Sequence, residues 1–297
     1  MRVSIRLLLA LLLGAAAPSA ARAEPSAATT TAAEVAVHAS YRVYAVGMHV
    51  ADLTAGVALG PASYRLTVDY KTTGMLGFFS SGHQTSNVDG IWTANLPLPR
   101  EYRSTGVWRG EDRVTLIDYE AGRPVIRRLL PSPQDEYEPV PAALQAASTD
   151  ALSAMAELLR RIAQTDRCDA HGIVFDGRRA SQITARTAGN EVVPATDRSS
   201  FAGPALRCDF TGIVVAGFRR DASPDSRRRP LTGSAWFARP VASGPPLPVM
   251  LRFETRWFGS ALMYLAAAAP DAPVLAAADP ATVNPPATSA PRSRPSR

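Results

Sequence analysis

The chain has 297 residues, of which 46% are hydrophobic and 7% aromatic, and its formal net charge is +6. Removal of an N-terminal segment that carries Arg2, Arg6 and Arg22 lowers this charge to +3. So small an excess of basic residues argues against nucleic acid as a partner. The length is compatible with one large β domain.

The N-terminus has the pattern of a secretory signal peptide. Basic residues precede an apolar run over residues 7–17, and Ala21 and Ala23 provide the small residues of a cleavage site. The run is shorter than the roughly 20 residues that a membrane-spanning helix needs, which disfavours an uncleaved anchor. We predict a signal peptide over residues 1–23, export to the periplasm, and no transmembrane segment after cleavage.

Composition divides the remaining chain into three parts. Residues 24–36 are rich in Ala, Thr and Ser, and residues 266–297 are rich in Pro and Ala and contain no aromatic residue. Such compositions have little to bury and predict a disordered linker and a disordered tail. Between them, residues 37–265 are predicted to form a single β-rich domain.

Two-residue alternation of apolar and polar side chains dominates this domain. In residues 64–71, Tyr64 and Leu66 fall on one face while Arg65 and Thr67 fall on the other. The pattern predicts strands with one buried face, as antiparallel sheets have. Further strands are predicted at 41–53, 83–93, 101–108, 113–119, 124–130, 173–175, 180–187, 206–216, 234–239, 249–257 and 260–265.

Short turns separate these strands. Asp89-Gly90, residues 109–112, residues 121–123 and Asp176-Gly177 each provide a glycine or aspartate of the kind that tight hairpins use. Strands joined by such turns form an antiparallel meander, and a long meander twists and curls. We predict a mainly β fold, a curved antiparallel meander that forms a half-barrel or an open barrel.

One segment has helical rather than strand periodicity. Ser148 and Thr149 are candidate caps for a helix over about 150–164. Its apolar stripe is predicted to cover the concave face of the sheet. The stripe consists of Leu152, Met155, Leu158, Leu159 and Ile162.

The two cysteines, Cys168 and Cys208, suit an oxidising compartment, where an isolated pair is usually bonded. We predict a disulfide between them. The alternative is a pair of buried free thiols. No Cys-x-x-Cys motif supports redox chemistry.

The sequence carries no recognisable catalytic, metal or cofactor motif. No two of the four histidines are close together in the sequence, so no metal site and no cofactor are expected. His49 with Asp52 is better read as a structural pair. A Gly-x-Ser-x-Gly elbow, a phosphate-binding loop and a dinucleotide fingerprint are absent. We assign no catalytic residue.

Several segments together resemble exported bacterial proteins of domain of unknown function 3108. They are residues 41–52, the helix start at 149–153, Cys168 before residues 174–179, and the late Cys208. The resemblance covers residues 41–265. It implies a curved antiparallel sheet around a helix, by analogy with periplasmic lipid carriers, and it brings no established activity and no catalytic residues.

The leading functional hypothesis is a non-catalytic periplasmic protein that binds an apolar small molecule or lipid on the concave face. The candidate pocket residues are Tyr64, Leu66, Phe78, Phe79, Trp92, Trp108, Met155, Leu159, Phe253 and Trp257. Each of them is also a plausible core residue.

Two alternatives remain. The first is an envelope scaffold that contacts a partner protein through the Arg-rich segment 219–229 and the C-terminal tail. The second is a hydrolase whose site has no sequence signature, for which His83 and His171 are the residues to inspect.

Overall fold

The structure is a computed structural model that describes residues 36–74, 81–94, 96–133, 136–255 and 259–271. The predicted signal peptide, the predicted linker up to residue 35 and the tail beyond residue 271 lie outside the described residues. Phe78, Phe79 and Trp257 of the predicted pocket also lie outside them.

The described residues form fourteen strands and three helices. The strands are β1 Ala36–Ala45, β2 Met48–Leu59, β3 Ser63–Thr72, β4 Gly82–Thr93, β5 Leu96–Trp108, β6 Glu111–Glu120, β7 Arg123–Leu130, β8 Ser148–Thr149, β9 Ala170–Phe175, β10 Ala180–Val193, β11 Gly203–Ala216, β12 Leu231–Ala238, β13 Leu247–Glu254 and β14 Ser260–Pro270. The helices are α1 Ala142–Ala146, α2 Ala151–Thr165 and α3 Pro224–Arg228. The predicted helix over about 150–164 is therefore confirmed as α2.

All strands belong to one sheet in the order β7-β6-β5-β4-β3-β2-β1-β14-β13-β12-β11-β10-β9-β8. Two antiparallel meanders, β1–β7 and β9–β14, are joined side by side because β1 pairs with β14. The pairing of β8 with β9 is parallel. The edge strands β7 and β8 are in contact, so the sheet forms a nearly closed barrel. This confirms the predicted mainly β fold.

The single strand predicted at 41–53 is wrong. Val46 and Gly47 form a turn in which both residues have positive φ, so the segment is the β1–β2 hairpin. The turn is hidden in the sequence because the apolar residues Ala45, Val46 and Met48 surround Gly47, and no Asn or Asp marks the turn.

Two further boundaries differ from expectation. Asp89-Gly90 is not a hairpin turn but an irregularity inside β4, where the pairing register with β5 shifts. Gly90 is needed there because a Cβ would overlap the ring of Tyr64. The domain boundary placed at 265 falls within β14, since the alanine-rich end of this strand continues to Pro270 by pairing with β1.

Helix α2 packs against β3, β4, β5 and β9 inside the sheet. Its buried face consists of Ser153, Ala156, Leu159 and Ile162. Met155, expected in this stripe, is 37% exposed. The cap is Asp150, whose carboxylate accepts from the Ser153 backbone N–H, whereas the predicted caps at 148–149 form β8.

Cys168 and Cys208 form the predicted disulfide, with their Cα atoms 6.1 Å apart. It ties the segment between α2 and β9 to the middle of β11. Both cysteines are buried in the core. Within the described ranges, no helix is long and apolar enough to span a membrane.

Candidate functional site

The inner face of the sheet contains a buried hydroxyl cluster of Tyr64, Tyr119, Asp150 and Ser153. The Ser153 hydroxyl donates to Asp150 Oδ2 at 2.6 Å, and it lies 2.8 Å from the Tyr64 hydroxyl. The Tyr119 hydroxyl donates to the same carboxylate oxygen at 3.3 Å. The cluster joins α2 to two distant strands, β3 and β6.

Burial controls the electrostatics of this cluster. Asp150 is 0% exposed, and its burial raises the pKa of the carboxyl, although the hydrogen bonds from Ser153 act in the opposite direction. Burial likewise raises the pKa values of Tyr64 and Tyr119. Both tyrosines therefore remain neutral and act as hydrogen-bonding groups at ordinary pH.

The buried hydroxyl cluster does not have the geometry of a hydrolase site. A serine nucleophile needs a base and access to substrate, and both Ser153 and Asp150 are 0% exposed. The hydrogen bonds of the cluster instead fix α2 against the sheet.

Two of the histidines in the described part of the chain lie beside carboxylates. His49 Nε2 lies 2.8 Å from Asp52 Oδ1, and His38 Nε2 lies 2.8 Å from Asp271 Oδ1. His171 is exposed on β9. The described residues contain no group of three His, Cys, Asp or Glu side chains that could hold a metal ion.

A large groove of about 610 Å³ lies over the ends of β2–β5. We call it the outer groove, because its residues Asp69, Lys71 and His83 alternate with the inward-facing residues of these strands. Its acidic groups already have partners: Asp52 contacts His49, and Asp69 accepts from the Thr85 hydroxyl at 2.5 Å. The side chains that line the outer groove are therefore mainly polar or charged.

An apolar cavity of about 360 Å³ lies near the edge of the sheet at β7. We call it the seam cavity, because it lies where the two ends of the sheet approach each other. Its walls include Ile126 and Leu129 of β7, Val140, and Phe175 of β9. Ile126 is paired with Ile117 and Leu129 with Thr115, and these two partners are buried, so both β7 residues belong to the inner face.

The seam cavity also has polar groups, of which Arg178 is the best defined. Its guanidinium donates from Nη1 to the Thr115 hydroxyl at 3.1 Å, and from Nη2 to the carbonyls of Leu130 and Pro131 at 2.7 and 3.0 Å. These bonds connect the β9–β10 turn to β6 and to the end of β7. The other polar residues of the wall are Tyr137, Glu138, Gln145 and Arg220.

The position of Arg178 follows from the local sequence Phe175-Asp176-Gly177-Arg178. Asp176 Oδ1 accepts from the backbone N–H groups of Arg178 and Arg179, which fixes a tight turn. Gly177 has a φ of 89°, and a Cβ there would overlap Leu129. The turn can therefore approach β7 only because residue 177 is glycine.

The predicted pocket residues are dispersed over the molecule. Tyr64 and Trp92 are together, with ring centroids 4.7 Å apart, and the Arg160 guanidinium lies over Trp92. The Trp108 ring lies over Gly82, whose missing Cβ leaves room for it. Of the remaining described members, Leu66 and Leu159 are core residues, Phe253 is half-buried on β13, and Met155 is at the surface. None of these seven described residues is in the wall of the seam cavity.

The sequence does not identify the seam cavity as a site, although it singles out two of the segments that form its wall. The strand 124–130 was predicted, and residues 174–179 contributed to the family resemblance. Only their approach in space makes them one wall, and no sequence pattern reports that approach.

The Arg-rich segment is partly neutralised. Arg219 forms an ion pair with Asp221 at 2.9 Å, and Arg227 of α3 forms one with Glu138 at 2.8 Å. These carboxylates offset part of the basic charge on which the scaffold alternative depends.

Comparison with solved structures finds the same type of fold. A crystal structure of a beta-barrel-like protein of domain of unknown function DUF1849 from Brucella abortus matches with a TM-score of 0.50 and 12% sequence identity. The match covers 81% of this chain and 99% of that chain, and at this identity it shows the fold alone. No curated protein matches the chain. The family described as "Protein of unknown function (DUF3108)" matches residues 40–266, and the chain belongs to that family.

Proposed function

We propose that the protein is a non-catalytic, exported binding protein that holds an apolar or lipid-like ligand of the envelope in the seam cavity. The observation that carries this proposal is an apolar pocket on the inner face beside the edge strand β7, where the barrel is incompletely closed. Its volume of about 360 Å³ is in the range of small-molecule sites.

The chemistry of the walls supports an amphipathic ligand. Ile126, Leu129 and Phe175 offer aliphatic and aromatic surface, and Ile126 is 39% exposed. Arg178 and the other polar wall residues offer hydrogen bonds. An apolar wall with a few convergent polar groups is the usual composition of a ligand site.

The disulfide supports the proposed periplasmic location. Cys168–Cys208 is buried in the core, and structural disulfides persist in oxidising compartments such as the bacterial periplasm. The N-terminal signal pattern supports the same location.

The first experiment is organic extraction of the protein purified from its native periplasm, followed by mass spectrometry. We expect an apolar or amphipathic molecule in stoichiometric amount. Protein that is folded, empty and unable to bind any added alkyl compound would refute the proposal.

A substitution tests whether the ligand binds in the seam cavity. We expect Ile126→Trp to occupy part of the cavity and to abolish the chemical-shift changes that octan-1-ol produces in the β7 and β9 amides. Leu231→Trp is the matched control, because Leu231 is 50% exposed on β12 and lies outside the seam cavity. Equal binding by both variants would place the ligand elsewhere.

A further inference from the structure

The guanidinium of Arg178 has an unusual environment for a cation. It is half-buried, and its three hydrogen bonds go to a hydroxyl and two backbone carbonyls, all of them neutral acceptors. In the described part of the chain, no carboxylate lies within ion-pair distance of it. Burial lowers the pKa of Arg178, although the nearby Asp176 carboxylate acts in the opposite direction.

The nearest acidic groups are engaged elsewhere. Both oxygens of Asp176 are used, Oδ1 by backbone N–H groups and Oδ2 by the Arg179 guanidinium at 2.9 Å. Glu138, the acidic residue in the wall, is 2.8 Å from Arg227. Neither of these two carboxylates therefore forms a direct ion pair with Arg178, although Asp176 lies near enough to stabilise its charge.

Arg178 also retains donor capacity. A guanidinium has five N–H groups, and three of them are accounted for by the bonds across the seam. The other donors belong to a side chain that forms part of the cavity wall. An anion bound in the cavity would meet both a charge and unused donors.

We propose that the ligand of the seam cavity is an amphipathic anion, and that Arg178 binds its charged group while Ile126, Leu129 and Phe175 contact its apolar chain. This inference rests on the proposed function and adds the charge of the ligand. A carboxylate or a phosphate head on an alkyl chain has the required chemistry, because guanidinium groups bind both.

The test compares ligands that have the same chain and different heads. Dissociation constants of the full-length mature protein are measured by NMR titration for octanoate, octyl phosphate, methyl octanoate and octan-1-ol. We expect at least one anion to bind about tenfold or more tightly than the two neutral compounds, the difference that one charge-assisted hydrogen bond gives. Comparison of octanoate with octyl phosphate identifies the preferred head.

Equal affinity for charged and neutral compounds would overturn the inference while leaving the proposed function intact. Absence of binding by all four compounds would overturn both. Because this comparison uses the unaltered protein, it remains decisive even if substitution of Arg178 prevents folding.

A substitution then tests whether Arg178 is the residue that binds the anion. Arg178→Gln is expected to remove the preference for the anion and to leave octan-1-ol binding unchanged. Arg186→Gln, at an exposed arginine of β10, is the control and should keep the preference. An undiminished preference in Arg178→Gln would show that another residue binds the anion.

Discussion

Asp150 has two functions that oppose each other energetically. It caps α2 through Ser153 N–H, which stabilises the helix, and it places a carboxyl group at 0% exposure, which penalises its charged form. Its hydroxyl partners Ser153 and Tyr119 lie on α2 and β6, and the Ser153 hydroxyl in turn lies 2.8 Å from the Tyr64 hydroxyl on β3. A change at this one residue therefore affects how the helix is held in the barrel.

We expect Asp150→Asn to change the pH dependence of stability. The raised pKa means that the folded protein holds the Asp150 proton more tightly than the unfolded chain does. As pH rises above about 3.9, the ordinary value for Asp, the unfolded chain releases its proton first and the free energy of unfolding falls. Asn keeps the cap without titrating, so the stability of the variant relative to wild type should increase with pH.

Urea unfolding at about pH 4 and about pH 7 measures this difference, since the window begins at the unfolded pKa of Asp. Asp112→Asn, at an exposed position of β6, provides the control. Parallel pH profiles for wild type and Asp150→Asn would show that the buried carboxyl does not govern the pH dependence.

At the scale of elements, glycines within strands differ in their steric surroundings. Gly106 lies in β5, and a Cβ there would overlap the backbone carbonyl oxygen of His83 on the neighbouring strand. Gly172 lies in β9 and has no atom within 4 Å of the corresponding position. The two positions have the same residue type and opposite steric surroundings.

We expect Gly106→Ala to destabilise the protein by about 1–3 kcal/mol, because the strands would have to separate to admit the methyl group. Gly172→Ala should be neutral or slightly stabilising, since alanine loses less conformational freedom on folding. Thermal and urea unfolding of both variants provide the comparison. A loss of stability at Gly172 equal to that at Gly106 would contradict the steric explanation.

Elements were predictable from sequence where one face is buried and the other is exposed. β3 alternates between buried and more exposed residues as its sequence indicates, and α2 has its predicted length. The cap of α2 was misplaced by one or two residues because Ser148, Thr149 and Asp150 are all good capping residues. Only the pairing of 148–149 with β9 distinguishes them.

At the scale of the whole molecule, the first and last strands of the domain meet at the middle of the sheet. β1 pairs with β14 over most of its length, from Ala45 with Ala261 to Val37 with Pro270. The Asp271 backbone N–H also donates to the Ala36 carbonyl at 2.7 Å. The two meanders are thus held together by strands that are far apart in sequence.

We expect a chain that ends at Asp271 to unfold cooperatively with an unchanged midpoint, because every described strand remains. A chain that ends at Glu254 lacks β14 and leaves the edges of β1 and β13 unpaired, so it should lose cooperative unfolding. Urea denaturation followed by circular dichroism distinguishes these outcomes. Cooperative unfolding of the shorter chain would mean that each meander is stable without the other.

The sequence by itself determined the mainly β class, the position of α2, the cysteine pair and the absence of recognised catalytic motifs. These features depend on local periodicity, on composition and on residue types that are visible over short spans. The error at 41–53 arises because the turn residue Val46 is apolar and no Asn or Asp marks the turn.

Only the tertiary structure decided which strands are neighbours, that β1 joins β14, and where the sheet remains incompletely closed. The seam cavity combines β7, the β9–β10 turn and the segment around Val140, and the electrostatic environment of Arg178 depends on which carboxylates reach it. Distances between residues that are remote in sequence determine such features, and alternation within one strand contains no information about them.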